Sequence, residues 1–267
     1  MRTTIPVDDT VRRILAECRI DDNRLYLPDR QLDRKLYKGV NTVLEALGGT
    51  WNRRAKAHLF TSDPSTAIAN VVAGGTVAPP ATVTEGYFAT PAWLAEKIVT
   101  ESDIPDLEAG AEVLEPSAGD GALVRAILDA NPGVRVTAIE PNPVRAAQLG
   151  DDPRLTVVTS TLEDFAETAP RQHYAAAVMN PPFALPGQPT IWISHVLAVW
   201  NMLAAQAQLI AVVPSGFTFR RDKNHESIRQ LITTYGGYED LPEGAFAESG
   251  TGARTVLLHA HRADITA

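Results

Sequence analysis

A chain of 267 residues that is 45% hydrophobic and 21% charged can bury the core of one α/β domain with a modest appendage, which excludes an intrinsically disordered protein. Its single cysteine, Cys18, cannot form an intramolecular disulfide or a multi-cysteine metal site. The first ten residues contain no apolar signal-peptide core, so we expect a cytoplasmic protein. The longest apolar stretch, 191–213, is interrupted by polar residues and predicts a buried helix followed by a core strand, with no membrane span.

The net charge of −8 is distributed unevenly along the chain. Residues 1–60 contain twelve Lys or Arg and eight Asp or Glu, a balance of +4, whereas the remainder contains twelve basic and 24 acidic residues, a balance of −12. A solvated acidic surface would explain the total equally well. Any attraction to a phosphate backbone must therefore come from the N-terminal part or from local patches.

Residues 1–60 form an N-terminal basic module in our interpretation, and this module is a candidate DNA-recognition element. Apolar residues at helical spacing predict one helix around 11–18 and a second over 32–47. The segment 51–60 predicts a pair of short strands with a basic centre. Gly, Pro and Thr are frequent in residues 61–86, which we predict to be a linker. No internal repeat is evident.

Predicted strands and helices alternate from residue 87 to residue 267, which indicates a second domain. The predicted strands are 112–115, 134–140, 155–159, 174–179, 208–213 and 255–260, and the predicted helices are 92–100, 123–129, 144–149 and 192–205. Alternation of this kind favours a doubly wound α/β sheet with mostly parallel strands.

A glycine turn, in the segment VLEPSAGDGAL, lies between a predicted strand and a predicted helix. Gly119 and Gly121 allow a tight turn and close approach of a ligand, although glycines occur in such turns for steric reasons alone. Glu140 ends the next strand, where an acidic residue can hold ribose hydroxyls. The third glycine of a dinucleotide fingerprint is replaced by Val124, and Glu115 precedes the turn. An acidic strand end repels pyrophosphate and suits a cofactor with an ammonium group, such as S-adenosylmethionine.

Asp164 and Phe165 follow the third strand, in the segment TLEDF. Asp164 can accept a hydrogen bond from an adenine amino group, and Phe165 can pack on the adenine ring. The alternatives are a helix N-cap for Asp164 and a core position for Phe165. Because acidic residues also stand at the two preceding strand ends, the ligand-binding interpretation gains weight.

The tetrapeptide Asn180-Pro181-Pro182-Phe183 follows an apolar strand and is the most specific pattern in the chain. An amino group conjugated to a ring is a poor nucleophile because its lone pair is delocalised. The Asn180 side-chain oxygen and the Pro181 carbonyl are candidate acceptors for its hydrogens, placed where positive charge develops. The prolines stiffen the loop, and Phe183 would stack on an extruded base. The alternative is an ordinary Pro-rich turn.

The chain resembles the class I S-adenosylmethionine-dependent methyltransferases of the N6-adenine DNA type. The matching segments, in order, are YFATPAWLAEKIV, VLEPSAGDGAL, AIEPNP, TLEDF, NPPF, LIAVVPSGF and FAESGTGARTVLLHA. The resemblance implies a Rossmann-like, doubly wound, seven-stranded and mostly parallel sheet whose last strand is antiparallel. It also implies that residues 87–267 are the catalytic domain, with S-adenosyl-L-methionine as cofactor and the N6 of adenine in DNA as acceptor.

The same resemblance implies roles for individual residues. Cofactor contacts are implied for Tyr87, Phe88, Thr90, Pro91, Glu115, Pro116, Gly119, Gly121, Glu140, Pro141, Asp164 and Phe165, and catalysis for Asn180, Pro181, Pro182 and Phe183. The NPPF tetrapeptide also occurs in ribosomal-RNA guanine methyltransferases and, usually as NPPY, in enzymes that methylate a glutamine amide. An RNA or protein acceptor therefore stays open, as does a cofactor-binding, DNA-associated module without activity.

Two basic clusters are candidate contacts to DNA, the expected partner. They are Arg220, Arg221 and Lys223 after the fifth strand, and Arg53, Arg54 and Lys56 in the N-terminal module. Trp51 and His58 lie close to the second cluster in sequence. For both clusters a solvated charged surface is an equally good interpretation. His58 has no second ligand at metal spacing, so we expect no metal site.

Overall fold

The computed structural model describes residues 4, 6–60, 63–77, 85–185, 187–246 and 254–263. It divides into two compact units, Met1–Glu85 and Gly86–Ala267.

The N-terminal unit consists of helices packed against a four-stranded antiparallel sheet. In chain order it contains the helix Asp9–Glu17, β1 (Arg19–Asp21), β2 (Arg24–Tyr26), the helix Arg34–Ala46, β3 (Thr50–Asn52), β4 (Ala57–Leu59) and the helix Ser65–Val72. The strand order is β1-β2-β4-β3. The first two helices begin at the N-caps Asp8 and Asp33, whose carboxylates accept backbone N–H bonds. Both predicted helices and the predicted strand pair are present.

The prediction that all of residues 61–86 form a linker is too broad. The helix Ser65–Val72 lies inside this range, and its Ile68 and Val71 are buried in the same apolar cluster as the two earlier helices. Apolar residues at helical spacing outweigh the flanking Gly and Pro here. Residues 61, 62 and 78–84 of the range lie outside the described residues.

The second unit is built on a seven-stranded sheet. Its strands are β5 (Glu112–Glu115), β6 (Arg135–Ile139), β7 (Leu155–Val158), β8 (Tyr174–Met179), β9 (Leu203–Pro214), β10 (Gly236–Asp240) and β11 (Thr255–His261). The strand order is β10-β11-β9-β8-β5-β6-β7. The five neighbouring strands β7, β6, β5, β8 and β9 pair in parallel. β11 runs antiparallel to both of its neighbours, β9 and β10. This is the doubly wound, mostly parallel sheet predicted from the sequence, and its last strand is antiparallel.

Helices cover both faces of this sheet. They are Ala92–Thr100, Ala122–Ala130, Pro143–Ala146, Leu162–Thr168, Ile191–Met202 and Lys223–Tyr235, with 3₁₀ turns at Ile104–Asp106 and Ser215–Thr218. Alternate residues of a strand face opposite sides: Ile210 packs in one apolar cluster and Leu209 in the other. Because both faces are filled, a ligand can reach the sheet only at its edges, chiefly where the parallel strands end.

The long apolar stretch forms a helix and then a core strand, as predicted, but the helix Ile191–Met202 ends three residues before the predicted end at 205, and β9 begins at Leu203 instead of 208. Among the described residues, no helix combines the length and the apolar character needed to cross a membrane. The structure also contains the helix Lys223–Tyr235 and β10, which the sequence pattern did not indicate. Four of the five residues of β10 are exposed, so this edge strand lacks the alternation that would reveal it. The predicted helix 144–149 is only the short turn Pro143–Ala146.

At Gly236 the edge strand β10 lies close to the backbone of β11. A Cβ atom at Gly236 would lie 1.9 Å from the carbonyl oxygen of His259, so β10 would have to move away from β11. We expect Gly236→Ala to lower the free energy of unfolding by about 1–3 kcal/mol in urea denaturation. At Gly237 the nearest atom is Nε2 of the His259 side chain, at 3.1 Å, and this ring can move. Equal losses in Gly236→Ala and Gly237→Ala would contradict the packing argument.

Candidate active site

The predicted site residues follow the ends of the parallel strands. β5, β6, β8 and β9 end at Glu115, Ile139, Met179 and Pro214, and their carboxyl ends share one edge of the sheet. The glycine turn follows β5, Glu140 follows β6, and the tetrapeptide follows β8. Ligands of open α/β sheets bind at this edge.

The glycine turn uses its own N–H groups within the protein. Gly119 has a φ of +55° and Gly121 a φ of +84°, a backbone conformation that favours glycine. The N–H of Ala118 donates to the Ile139 carbonyl at 2.9 Å, and that of Gly121 donates to the Ala118 carbonyl at 2.8 Å. The N–H of Gly119 donates to Oε2 of Glu140 at 2.9 Å. These three groups are therefore not available to cradle a phosphate.

The Glu140 carboxylate is 3% exposed and already accepts three hydrogen bonds. Besides the Gly119 bond to Oε2, Oε1 accepts from the N–H of Asn142 at 2.7 Å and from Nη2 of Arg145 at 2.8 Å. A carboxylate offers about four acceptor positions. Glu140 can therefore accept about one further hydrogen bond, at Oε2, such as one from a ribose hydroxyl.

Arg145 connects two of the sequence motifs, although the sequence patterns did not single it out. Its guanidinium forms the ion pair with Glu140 and lies 4.3 Å from the centre of the Tyr87 ring. The Tyr87 ring in turn lies against Gly119, where an added Cβ would come within 2.8 Å of it. Burial raises the pKa of Tyr87. The segment YFATP and the end of β6 are thus joined by a cation–π contact.

Glu115 is fully buried and only partly satisfied. Its Oε1 accepts from the N–H of Ser117 at 3.2 Å, whereas its Oε2 has no hydrogen-bond partner. Burial raises the pKa of Glu115 well above its ordinary value, and the nearby Glu140 raises it further. A buried acceptor without a partner is costly and requires an explanation, such as a functional role or a bound water or ion. Two carboxylates beside a turn whose amides are occupied fit the ammonium-bearing, phosphate-free S-adenosylmethionine.

Asn180 is oriented by two acceptors on the segment YFATP. Its Nδ2 donates to the Phe88 carbonyl at 3.1 Å and to Oγ1 of Thr90 at 3.1 Å. Because a backbone carbonyl can only accept, the amide nitrogen must face Phe88. The side-chain oxygen Oδ1 is therefore left to accept from a ligand.

Phe183 belongs to an aromatic group at the same edge. Its ring stacks on that of Phe88 at 6.1 Å between centroids and meets the ring of Phe246 edge-on at 6.4 Å. Phe246 is buried and was not predicted as a site residue, although its segment FAESGTGAR belongs to the resemblance. Pro181 is buried and Pro182 half-buried. Phe183 is itself half-buried.

The N-cap alternative for Asp164 is wrong. Thr161 caps the helix Leu162–Thr168, and its hydroxyl accepts from the N–H of Asp164 at 3.1 Å. Asp164 is exposed in the first turn, where its charge complements the helix dipole. Phe165 is half-buried against the apolar cluster of the sheet, which agrees with the core alternative. Pro116 is buried after β5, and Pro141 is exposed after β6.

The fold has counterparts among solved structures. No protein-family model and no curated protein matches the sequence of the chain. The methyltransferase subunit of a type I restriction-modification system from Streptococcus thermophilus has a similar structure, with a TM-score of 0.55 and 18% identity over 67% of this chain and 45% of that chain. A modification subunit of a putative type I restriction enzyme from Vibrio vulnificus YJ016 has a TM-score of 0.53 and 17% identity, over 67% of this chain and 45% of that chain. A putative class I S-adenosylmethionine-dependent methyltransferase from Listeria monocytogenes has a TM-score of 0.51 and 14% identity, over 69% of this chain and 64% of that chain.

The shared fold is that of class I methyltransferases. The identities are low, so the likeness concerns the fold. The chain spans less than half the length of the two restriction-modification subunits that it matches.

The first basic cluster lies beyond β9, at the same edge of the sheet. Arg220, Arg221 and Lys223 are all exposed. Lys223 opens the helix Lys223–Tyr235, where a cation opposes the helix dipole and so does not serve stability. Phe219, which sequence reasoning missed, is 70% exposed beside them. The turn is held by Arg229, whose Nη1 donates to the Phe217 carbonyl at 2.5 Å.

The second basic cluster belongs to the N-terminal unit. Arg53, Arg54 and Lys56 are exposed in the turn between β3 and β4. His58 is fully buried, bonded through Nε2 to Oδ1 of Asn41 at 2.9 Å, and burial lowers its pKa. It is a packing residue and does not join the exposed patch. Across the part of the chain that the structure describes, no three His, Cys, Asp or Glu side chains are grouped to hold a metal ion.

The buried carboxylate predicts a pH-dependent stability. A folded-state pKa above the unfolded value means that the stabilising contribution of protonated Glu115 is present at low pH and is lost as pH rises past the unfolded value. We therefore expect Glu115→Gln to match the native protein near pH 4.5 and to be about 1–3 kcal/mol more stable near pH 8, in urea unfolding without cofactor.

The matched control is Glu167→Gln, at an exposed helix position, with an expected change under about 0.5 kcal/mol. A Glu115→Gln protein that loses stability at pH 8 would refute the assignment of an unsatisfied buried charge.

Proposed function

We propose that this protein transfers a methyl group from S-adenosyl-L-methionine to the N6 amino group of adenine in DNA. The observation that carries the proposal is the orientation of Asn180, whose nitrogen is committed to Phe88 and Thr90 and whose oxygen is left to accept. The methyltransferase fold and the residues at the carboxyl edge of its sheet support the same chemistry.

The residues at the ends of β5 and β6 would hold the cofactor. Glu115 would pair with its ammonium group, and Glu140 would accept from a ribose hydroxyl. In the proposal, Asp164 and Phe165 would bind its adenine, and Tyr87, Thr90, Pro116, Gly119, Gly121 and Pro141 would line the remainder of the site. When bound, the cofactor supplies a methyl group activated by a positively charged sulfur.

Two acceptors would activate the target amino group. Oδ1 of Asn180 and the carbonyl of Pro181 accept its two hydrogens, which draws the nitrogen away from conjugation with the ring and frees its lone pair. As positive charge develops on the nitrogen, both oxygens stabilise it without rearranging. Pro181 and Pro182 bring no N–H donors that would compete for these acceptors. The proton that becomes acidic stays hydrogen-bonded to one of the two oxygens until water removes it.

The base and the backbone would be held by different groups. An adenine extruded from the duplex would stack on Phe183, which is supported by Phe88 and Phe246. Phosphates beside the target would contact the exposed cations Arg220, Arg221 and Lys223. A nucleic acid is favoured over a protein amide because three cations and an exposed Phe219 stand together at the substrate edge of the sheet.

The direct test supplies the purified protein with methyl-labelled cofactor and unmethylated DNA, RNA or protein. We expect label in DNA and N6-methyldeoxyadenosine in its nucleoside digest. In Asn180→Ala, kcat should fall by about 100-fold or more, because one preorganised acceptor is removed, while the Kd for S-adenosylhomocysteine stays within about threefold. The control is Asn201→Ala, an exposed asparagine near the end of the helix Ile191–Met202.

Label in RNA or protein alone, or N4-methylcytosine as the product, would overturn the proposed acceptor. Full activity in Asn180→Ala would overturn the role of the side-chain oxygen.

Thr90 acts by positioning Asn180. In Thr90→Val one of the two acceptors that orient the amide is lost, and we expect kcat to fall about 10- to 100-fold with little change in the KM for DNA. Thr90→Ser keeps the hydroxyl and should restore most of the activity. A Thr90→Ser protein as impaired as Thr90→Val would point instead to a packing role for the methyl group.

A further inference from the structure

The N-terminal unit contains one structural element twice. In each copy a helix is followed by a β-hairpin: the helix Asp9–Glu17 with β1 and β2, then the helix Arg34–Ala46 with β3 and β4. The buried helix positions have the same spacing, Val11, Ile14 and Leu15 in the first copy and Val40, Val43 and Leu44 in the second. The sequence alone gave no sign of this repeat, because the connections in the second copy are longer.

Strand pairing makes the repeat symmetrical. Ile20 pairs with Leu25 in the first hairpin, and Trp51 pairs with His58 in the second. The hairpins meet through β2 and β4, where Leu25 pairs with His58. Exchanging the two hairpins therefore reproduces the same order of strands and the same register, so both copies satisfy the same packing requirements.

The turns of the two hairpins differ although the fold is the same. The first hairpin closes through Asp22 and Asn23, and the second through Arg53, Arg54, Ala55 and Lys56. The first copy shows that the hairpin folds without cations in its turn. The three basic residues of the second turn are thus not explained by the fold.

This basic turn, residues 53–56, is exposed and pre-shaped. Oδ1 of Asn52 accepts from the N–H of Arg54 at 3.0 Å and from that of Ala55 at 2.9 Å. Among the described residues, no carboxylate forms an ion pair with Arg53, Arg54 or Lys56. By contrast, Arg12 and Arg30 of the same unit are paired with acidic side chains.

An aromatic residue lies on the strand beside the turn. The ladder places Tyr26 of β2 next to the end of β4 from which the turn projects. The guanidinium of Arg19 covers the Tyr26 ring at 3.9 Å, with Asp21 at 3.7 Å as its only acidic neighbour among the described residues. The strand next to the turn therefore adds an aromatic ring stacked under a guanidinium, a combination also found in proteins that follow a nucleic-acid backbone.

We propose that the basic turn, residues 53–56, binds the phosphate backbone of duplex DNA. The inference rests on the proposed function and names a second contact for the same substrate. In a chain with a net charge of −8, a polyanion is held best where cations are concentrated away from carboxylates. The turn meets this condition, and its preset backbone lowers the entropic cost of binding.

The test measures the Kd of the full chain for fluorescent duplex DNA from 50 to 300 mM salt. The turn variant is Arg53→Gln, Arg54→Gln and Lys56→Asn, with Asn at position 56 because Lys56 has a φ of +51°. We expect its Kd to rise about 10- to 100-fold near 100 mM salt, and the slope of log K against log salt to become shallower by about two to three.

The matched control removes the same charge elsewhere. Arg34→Gln, Lys35→Gln and Lys38→Gln alter three exposed cations at the start of the second helix of the unit. Because the carboxylates of Asp33 and Asp8 lie close to these cations, we expect a slope close to that of the native protein. Circular dichroism and unfolding curves check that both variants remain folded.

Each outcome decides the inference. A larger loss of affinity and of salt dependence in the turn variant than in the helix variant supports the inference. Equal losses in the two variants would overturn it, because net charge alone would then explain the effect. Unchanged binding in the turn variant would also refute it. Displacement of DNA by a lower concentration of RNA than of unlabelled DNA would overturn duplex DNA as the partner. Label transfer to DNA with unchanged binding in the turn variant refutes only this inference, whereas turn-dependent DNA binding without transfer refutes only the proposed function.

Discussion

The arrangement at the sheet edge depends on two hydrogen bonds donated by the Asn180 amide nitrogen. They reach back to Phe88 and Thr90, far earlier in the chain, and so fix a loop after β8 by a segment that precedes the whole sheet. An acceptor that activates an amino group must be oriented before the substrate arrives, because reorienting it during the reaction would cost part of the stabilisation it provides. The segment YFATP therefore has a structural reason to be present in such a site.

The second constraint is electrostatic. Glu115 and Glu140 are buried close together, and the backbone N–H groups of the glycine turn between them donate hydrogen bonds within the protein. Such a site is unfavourable for an anionic ligand and leaves Glu115 under-satisfied without a cationic one. Arg145 offsets part of the charge through Glu140 while stacking on Tyr87. If Glu115 binds the ammonium group as proposed, stability and cofactor selection oppose each other at this residue, as they often do at functional sites.

The sequence predicted those parts of the structure that follow from local pattern. The buried strands and the glycine turn each depend on neighbouring residues, and apart from the earlier start of β9 they appear where expected. Arg145 and Phe246 were missed because their roles arise from contacts with residues distant in sequence, Tyr87 and Phe183. The capping role of Thr161 was missed because Asp164 is also a favourable capping residue type, and only backbone geometry distinguishes them.

The same reasoning explains why charge counts gave little guidance. Several acidic residues of the N-terminal unit are used locally: Asp8 and Asp33 cap helices, and Glu17 pairs with Arg30. A carboxylate paired with a cation has little effect on a distant polyanion because the two opposite charges largely cancel at a distance, and what remains is screened within about one Debye length. What a DNA backbone would meet is decided by the cations left without such partners. In an acidic chain these few positions, rather than the net charge, determine whether a nucleic acid can bind.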